Sequence, residues 1–275
     1  MDITNILNYY EDVKDDLKSQ STSSVRTKIM ISLSEGPKKT KDLNKLTGMR
    51  SSTILHGINE LEKQELVLRK GDYFFLSEIG QIMTLKVVDM VKTSVSLKKF
   101  QKLWLNHDIN NIPPKFLMNI GDLSNSKLVE TNNIDIFKPH GAYMDILIQS
   151  KEIKGVSPIF YPDYIETFKN LTSKDTNIEI ILTNAILKKT IKSLDTENLN
   201  ELKKLISENT VKIWETKEDI KTAFTITDKF MVLGLFFVKG TYDSTRLLIS
   251  NHNDSIIWGN KMFEYYLQDA HRFKL

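Results

Sequence analysis

The segment 24–77 restricts the fold more than any other part of the chain, because its helix-breaking residues come in a specific order. Three short stretches have the apolar spacing of helices, and glycine or proline residues separate them, with Gly48 between the second and the third. Two short apolar runs then flank Gly71-Asp72, as the strands of a hairpin flank their turn. We therefore predict three helices followed by a β-hairpin.

The third of these helices, at 51–64, has one apolar face and one polar face. Ile54, Ile58 and Leu61 share the apolar face on a wheel of about 100° per residue. A helix that reads base edges in the major groove needs an outer face of hydrogen-bonding side chains, and the opposite face here carries Ser52, His56, Asn59 and Lys63. Any solvent-exposed helix has a polar outer face, so it is the complete order of elements that favours a winged helix-turn-helix.

Basic residues around this helix predict contacts with a DNA backbone. Residues 18–102 contain 16 Lys and Arg against 8 Asp and Glu, whereas residues 1–17 are acidic. The N-terminus of a helix attracts phosphate through its backbone N–H groups. The hairpin places two more cations at its tip. The predicted DNA-binding set is Lys38, Lys39, Arg50, Ser51, Ser52, Thr53, His56, Asn59, Lys63, Arg69 and Lys70.

Composition excludes several classes of site. Cysteine is absent from the 275 residues, which removes disulfides, thiolate metal sites and cysteine nucleophiles. His107-Asp108 suggests a metal pair without companions, and we interpret it as a polar helix end. Asp228-Lys229 is interpreted as a turn between strands. We expect no metal, no cofactor and no enzymatic activity.

The same sequence predicts no contact with a membrane. No apolar run approaches the roughly 18 residues that a membrane helix needs. The acidic start of the chain lacks the apolar centre of a signal peptide. We expect a cytoplasmic protein.

A long helix is predicted at about 78–105, and it indicates a homodimer. Apolar residues recur on it at alternating spacings of four and three. This stripe is too long for the small preceding domain to cover, and residues 2–18 carry a second stripe. The predicted dimerisation set is Met83, Val87, Met90 and Leu97.

Beyond Pro113-Pro114 the chain alternates between strand-like and helix-like stretches, which predicts an α/β domain whose sheet is largely parallel with an antiparallel edge. We predict that the final stretch, 255–273, forms a single helix. The fold class is therefore α+β or α/β. The predicted segments are an N-terminal helix at 1–20, the winged domain at 21–78, a helix and connector at 79–113, and the α/β domain at 114–275.

Short polar groups follow the predicted strands of this α/β domain. Ligands of open α/β sheets bind outside the carboxyl ends of the strands. We therefore predict a pocket for a small-molecule effector, with ordinary strand-to-helix caps as the alternative interpretation. The predicted effector-binding set is Ser157, Tyr161, Thr183, Asn184 and Thr227.

Residues 22–80 resemble archaeal winged-helix transcriptional regulators, including the YFFLSEIG close of the hairpin. Downstream motifs resemble those of the methanogenesis-regulator, or FilR-type, family: WLNHDINNIP (104–113), EIKGVSPIF (152–160), TDKFMVLGLF (227–236), GTYDSTRLLIS (240–250) and IIWGNKMFEYY (256–266). The resemblance implies a dimeric regulator that binds double-stranded DNA. It also implies a regulatory domain similar to phospholipase D-like effector domains. That domain would be non-catalytic here, because no histidine is followed two positions later by lysine.

Two other functions fit the same pattern of elements. A nucleic-acid-binding module fused to an enzyme domain is the main alternative. A winged helix used for protein–protein assembly is the other. A DNA-binding transcriptional regulator that senses a small molecule or a partner accounts for more of the chain than either.

Overall fold

The computed structural model describes residues 2–159, 167, 171 and 176–274. Its internal contacts divide the chain into two compact units, Met1–Val91 and Lys92–Leu275, which we call unit 1 and unit 2. Within the residues described, no helix is both long and apolar enough to cross a membrane.

Unit 1 contains its elements in the predicted order. A two-stranded antiparallel hairpin follows the helices, with Lys70 opposite Tyr73 across the Gly71-Asp72 turn. The elements are α1 (Ile3–Thr22), α2 (Ser24–Leu33), α3 (Thr40–Thr47), α4 (Ser51–Lys63), β1 (Val67–Lys70), β2 (Tyr73–Leu76) and the first part of α5 (Glu78–Lys99).

The core of unit 1 is formed by α2, α3, α4 and the hairpin. Ile29, Leu43, Ile54 and Ile58 are all 0% exposed, and each such side chain contributes about 1.5–3 kcal/mol when it leaves water. Gly57 sets the spacing of this core, because a Cβ atom there would lie 2.8 Å from Cδ1 of Ile29. Helix α4 therefore lies closer to α2 than any larger residue at position 57 would allow.

The predicted dimerisation stripe of α5 is divided between two faces. Met83 packs against the core of unit 1, and Val87 is only 8% exposed. Met90 and Leu97 are 51% and 47% exposed. The prediction that Val87 faces a partner was wrong, because its side chain is already covered within the single chain, whereas Met83 is covered only in part.

Other apolar residues of α1 and α5 lie on the surface of unit 1. The stripe of α1 is 42–69% exposed at every position: Ile3, Leu7, Tyr10, Val13 and Leu17. On α5, Ile82 and Leu85 are 64% and 69% exposed. Most helical stability in proteins comes from packing of the apolar face, and these faces are uncovered in the single chain.

Unit 2 is built on a mixed sheet. Its described strands are β3 (Lys127–Glu130), β4 (Glu152–Ser157), β5 (Asn177–Thr183), β6 (Val211–Thr216), β7 (Thr222–Thr227), β8 (Met231–Leu235), β9 (Arg246–Ser250) and β10 (His271–Arg272). Their order in the sheet is β10-β6-β5-β4-β7-β8-β9-β3. The described helices are α6 (Gln101–Asn106), α7 (Pro114–Leu117), α8 (Lys138–Ile148), α9 (Asn184–Ser193), α10 (Thr196–Ser207) and α11 (Asn253–Leu267).

Only part of this sheet is parallel, which corrects the sequence-based expectation. Strands β4, β5 and β6 are parallel, and every other pairing is antiparallel. The turn at Asp228-Lys229 joins β7 to β8 directly, and a short turn can join only antiparallel neighbours. The predicted closing helix also ends earlier, at Leu267, and His271–Arg272 pairs with β6 as an edge strand.

Helix α11 closes one face of this sheet. Trp258, Met262 and Phe263 are at most 2% exposed and belong to one cluster with Phe224 and Leu233. The indole N–H of Trp258 donates to the carbonyl oxygen of Phe116 at 3.1 Å, which satisfies the one polar group of that side chain. These contacts fix the central strands from one side.

The connector after α5 belongs to unit 2, so the division between the units lies nearer the N-terminus than residue 114, where we predicted that the α/β domain begins. Phe100, Leu103, Trp104 and Ile112 are 0–8% exposed within the main core of unit 2. The apolar residues of this connector therefore have a different role from a linker: they cover one side of the sheet domain.

The buried His107 and Asp243, together with the partly exposed Arg246, tie this connector to the β8–β9 hairpin; we call these three residues the buried cluster. Nε2 of His107 lies 3.0 Å from a carboxylate oxygen of Asp243, and its Nδ1 lies 2.7 Å from the carbonyl oxygen of Leu103. Both side chains of the pair are at most 1% exposed. The His107 ring also stacks on Phe237, with centroids 4.8 Å apart.

Candidate nucleic-acid interface

The turn between α3 and α4 is held mainly by hydrogen bonds of the Asn44 side chain, and the Thr47 hydroxyl also accepts from the backbone N–H of Met49. Asn44 donates from its amide nitrogen to the carbonyl oxygen of Met49 at 2.6 Å, and its amide oxygen accepts from the Ser51 hydroxyl at 3.2 Å. Gly48 ends α3 with φ of 69°, a left-handed conformation that glycine adopts without strain. These contacts fix the start of α4 relative to α3.

Helix α4 presents its polar residues to solvent, as the sequence predicts. Ile54, Ile58 and Leu61 are buried, and the four residues predicted to read bases are exposed: Ser52, His56, Asn59 and Lys63. The start of the helix is also exposed over Arg50, Ser51 and Thr53. The first turn of α4 therefore offers unobstructed backbone N–H groups at the place predicted for a phosphate.

Arg69 joins the hairpin to α4 by ion pairing. Its guanidinium lies 3.2 Å from both carboxylate oxygens of Glu62, and Nη2 donates to the amide oxygen of Asn59 at 3.4 Å. The guanidinium also lies over the ring of Phe74, 4.8 Å from its centroid. Arg69 thus faces α4, and Lys70, which is exposed, is the cation nearest the tip.

Lys63 has an acidic neighbour on its own helix. Its ammonium donates to Glu60 at 2.9 Å, and this hydrogen bond lowers the pKa of the Glu60 carboxyl. We refer to Arg69–Glu62 and Lys63–Glu60 as the surface pairs. Because they are exposed, a DNA phosphate can replace each carboxylate at little cost.

The two lysines before α3 are less available than predicted. The Lys38 side chain is only 15% exposed and lies 3.5 Å from Glu35, because its backbone pairs with Phe74 alongside the hairpin. Lys39 lies over the Tyr73 ring at 4.8 Å and 3.5 Å from Asp72. Lys38, which we predicted as a phosphate contact, is therefore mostly covered, and Asp72 reduces the positive charge of the hairpin tip.

Sequence reasoning missed the residues that organise this surface. Asn44 lies four positions before Gly48, the glycine of the turn, and this spacing is the feature of the sequence that could have indicated its role in the turn. Glu62 lies seven positions from Arg69, and no local pattern indicates that the two meet.

The predicted effector residues do not form one site. Ser157 ends β4, and Thr183 and Asn184 follow the neighbouring strand, whereas Thr227 lies beside Ile153 at the start of β4. Strand β7 runs antiparallel to β4, so its carboxyl end lies at the opposite edge of the sheet. The Thr227 hydroxyl accepts from the backbone of Lys229 and Phe230 in the turn between β7 and β8, so it caps a strand-to-strand turn. Tyr161 lies outside the described residues.

His107 and Asp108, considered above as a metal pair, have separate roles. His107 belongs to the buried cluster, and Asp108 accepts from the backbone N–H of Asn110. Within the described part of the chain, no group of three or more His, Cys, Asp or Glu residues is placed to hold a metal ion.

Comparison with known proteins identifies the family. Residues 14–95 match the N-terminal domain of methanogenesis regulatory protein FilR1, and residues 136–269 match its middle domain. Methanogenesis regulatory protein FilR1 of Methanothrix harundinacea (strain 6Ac) is 27% identical over 255 residues, which cover 92% of this chain and 56% of that protein. The chain thus spans little more than half the length of this relative.

Two solved structures are more distantly similar. The archaeal chromatin protein TrmBL2 has a TM-score of 0.42 and 12% identity, with 95% of this chain and 97% of that chain covered. Phosphatidylserine synthase of Haemophilus influenzae Rd KW20 has a TM-score of 0.39 and 10% identity, over 54% of this chain and 39% of that chain. Neither likeness is close enough to inform the function, and the phospholipase D-like fold stays a prediction. The two domain matches and the full-length relative agree, and the chain belongs to the family of methanogenesis regulatory protein FilR1.

Proposed function

We propose that the protein is a DNA-binding transcriptional regulator whose unit 1 is a winged helix-turn-helix. The observation that carries this proposal is the exposed polar face of α4, presented beyond a turn that Asn44 and Gly48 fix. A recognition helix must project hydrogen-bonding side chains from near its N-terminus into the major groove. His56 and Asn59 are the side chains that we assign to base contacts.

Phosphate contacts are assigned to the borders of this face. Arg50 and the N–H groups of the first turn of α4 supply one anion site. Lys63, Arg69 and Lys70 supply cations on the side of the hairpin. Each phosphate that these cations neutralise releases counterions, so affinity should fall linearly with salt on logarithmic axes.

The test is a binding titration over a range of salt, with DNA selected from a random pool. Reversing Arg69 and Lys70 to Glu should weaken binding to all sequences alike, because phosphate contacts carry no base preference. The control is the reversal of Lys188 and Lys192 to Glu, which are exposed cations of α9 in unit 2. Salt-independent affinity, or equal weakening by both pairs, would contradict the proposal.

We also propose that the regulator is a homodimer that uses α1 and the outer face of α5. The support is the exposure of the α1 stripe and of Ile82 and Leu85, which leaves apolar surface uncovered in the single chain. A second copy of the same chain brings the same two faces, as a two-fold interface requires. A dimer presents two recognition helices to half-sites about one DNA turn, roughly 34 Å, apart.

Sedimentation of Ile82→Glu with Leu85→Glu tests this interface, and monomers are expected. The matched control is Met118→Glu with Val238→Glu, two apolar residues of unit 2 that are 76% and 71% exposed. Circular dichroism should show that both variants are folded. An unchanged sedimentation profile of the α5 variant would refute this interface.

Unit 2 is assigned a regulatory, non-catalytic role, in which a bound effector changes the DNA-binding activity of the regulator. Its support is the membership of a family described as regulatory. Turnover of a phosphodiester or methyl-transfer substrate by the full chain would instead favour the alternative of an enzyme joined to a DNA-binding module.

A further inference from the structure

A cavity of about 50 Å³ lies in unit 2 between α8 and the central strands of the sheet. Its floor is formed by β4, β7 and β8, and Tyr143 of α8 and Tyr242 border it. A single water molecule needs roughly 10–15 Å³ measured in this way, so the enclosed part holds only about three to five waters. The cavity also opens to solvent at one side, which provides an entry path for a ligand.

The cavity exists because the two faces of the same strands carry side chains of different size. On the α11 side, Val156, Phe224 and Leu233 fill the core. On the α8 side, Gly155 lies opposite Thr225 in the β4–β7 pair, and Gly234 lies in β8. A β-strand alternates its side chains between faces, so this difference is set by the sequence of three neighbouring strands.

Hydroxyl groups line the cavity beside apolar carbon. Thr225 is only 7% exposed, and its hydroxyl oxygen lies 3.0 Å from the hydroxyl oxygen of Tyr143. The Ser157 hydroxyl, at the end of β4, donates to the carbonyl oxygen of Ile159 at 2.8 Å, so its own oxygen can still accept. Hydroxyl groups act as donors and as acceptors, which suits a ligand whose polar groups do both.

Charge restricts the ligand further. The described residues that line the cavity include His140 but no Asp, Glu, Lys or Arg. Among the described lining residues, an organic cation would meet no carboxylate and a phosphate group no lysine or arginine. Burying an unpaired charge is costly. The lining therefore favours a small polar molecule without net charge.

We propose that this cavity binds a short uncharged hydroxylated compound, of the size of a two- or three-carbon polyol. The hydroxyls of Thr225, Tyr143 and Ser157 hydrogen-bond the ligand, and Val232 and Leu247 contact its carbon atoms. The role of this ligand as the effector of the regulator rests on the proposed function, whereas its binding does not. Among the described residues of the set predicted from the strand ends, Ser157 belongs to this site.

Gly155 provides a selective way to fill the cavity. A Cβ atom there would lie 3.4 Å from Oγ1 of Thr225 and 4.0 Å from Cγ1 of Ile180, both of which are ordinary contacts. Alanine therefore fits the fold while it occupies ligand space. Gly141 of α8 is the matched control, since a Cβ atom there has no heavy atom within 4 Å.

The experiment is a titration of the full-length, methyl-labelled protein, without DNA, followed by NMR. The probes are ethylene glycol and glycerol, with acetate, inorganic phosphate and methylammonium as the other classes. We expect saturable shifts of the Ile180 and Val232 methyl groups with a polyol in the wild type and in Gly141→Ala. Gly155→Ala should lose saturation while its melting temperature stays equal or rises, and Tyr143→Phe should weaken binding severalfold.

Three outcomes would overturn the proposal. They are polyol shifts that rise without saturation, saturation with acetate, phosphate or methylammonium alone, and binding to Gly155→Ala that equals the wild type. If Gly155→Ala unfolds, polyol binding by Tyr143→Phe and Thr225→Val is the test instead. Binding by both variants that equals the wild type would then overturn the proposal. DNA binding is measured separately, so a protein that binds the polyol and no DNA refutes the proposed regulator and leaves the site intact.

Discussion

The buried cluster of unit 2 and the surface pairs of unit 1 use the same kinds of ionisable side chain in opposite environments. The pair of His107 and Asp243 is at most 1% exposed and is enclosed by Leu103, Phe237 and Arg246. Arg69 and its partner Glu62 are 43% and 29% exposed. A buried charge that loses its partner cannot turn to water instead, whereas an exposed one can. The buried cluster therefore stabilises the fold, whereas the basic residues of the surface pairs can exchange their carboxylate partners for phosphate groups.

The largest effect is expected from Asp243→Ala. This change leaves the His107 ring without its carboxylate and removes the acceptor of the Thr245 backbone N–H. Breaking a buried pair in this way costs about 3–5 kcal/mol of unfolding free energy. Urea denaturation measures it. Asp108→Ala, beside the cluster in sequence, removes a helix cap and a hydrogen bond from the Asn111 amide, and it should cost about 1 kcal/mol. Equal losses in the two variants would contradict the difference between buried and half-buried groups.

A second, smaller effect concerns base selection by α4. Asn59→Ala and His56→Ala should each relax preference at one base pair by about 1–3 kcal/mol. The unfolding free energy should change by less than about 0.5 kcal/mol, because both side chains are exposed. Competition among selected DNA sequences provides the measurement. A uniform loss over all sequences would mean that another surface reads the bases.

The surface pair of Arg69 and Glu62 allows a gain of function. Glu62→Gln removes the carboxylate that competes with phosphate, so DNA affinity should rise by about 0.2–1 kcal/mol. The control is Glu35→Gln, next to the mostly covered Lys38, which should leave affinity unchanged. Weaker DNA binding by Glu62→Gln would show that Glu62 orients Arg69 for DNA instead of competing with phosphate for it.

The smallest effect tests an ion pair of intermediate exposure in unit 2. Lys92 donates to Asp254 at 2.7 Å, and this hydrogen bond lowers the pKa of that carboxyl. A lowered carboxyl pKa stabilises the fold above the usual aspartate pKa of about 3.9, and the contribution is lost as pH falls through the lowered value. Both side chains are about one-third exposed, so screening reduces the effect to a few tenths of a kcal/mol. The stability difference between wild type and Lys92→Met should therefore shrink from neutral to acidic pH, and a constant difference would exclude this origin.

The sequence predicted unit 1 well because its signals are local. Glycines and caps lie within a few residues of the helix ends that they determine, and α4 runs from Ser51 to Lys63 against an expected 51–64. The polar face of α4 follows from the same periodicity. The pairing of Arg69 with Glu62 does not, since it depends on how the hairpin returns across the helix.

Unit 2 was harder to predict because its pairings are distant in sequence. Strand β3 has only four residues and pairs with β9, more than 100 positions later, and no local pattern indicates that partner. Periodicity on α5 revealed an apolar stripe but not which side faced the core, so Val87 was assigned to the wrong surface. The cavity was missed for a similar reason, as it needs small residues from three strands at once.

The close approach of α4 to α2 at Gly57 has a consequence for redesign of sequence preference. A Cβ atom at this position would lie 2.8 Å from side-chain atoms of Ile29 and Val25, so keeping Gly57 preserves the close packing of α4 on α2. His56 and Asn59 lie on either side of it in sequence and project away from the core. A combinatorial library over these two positions, with Gly57 held constant, would sample new operators on an unchanged scaffold.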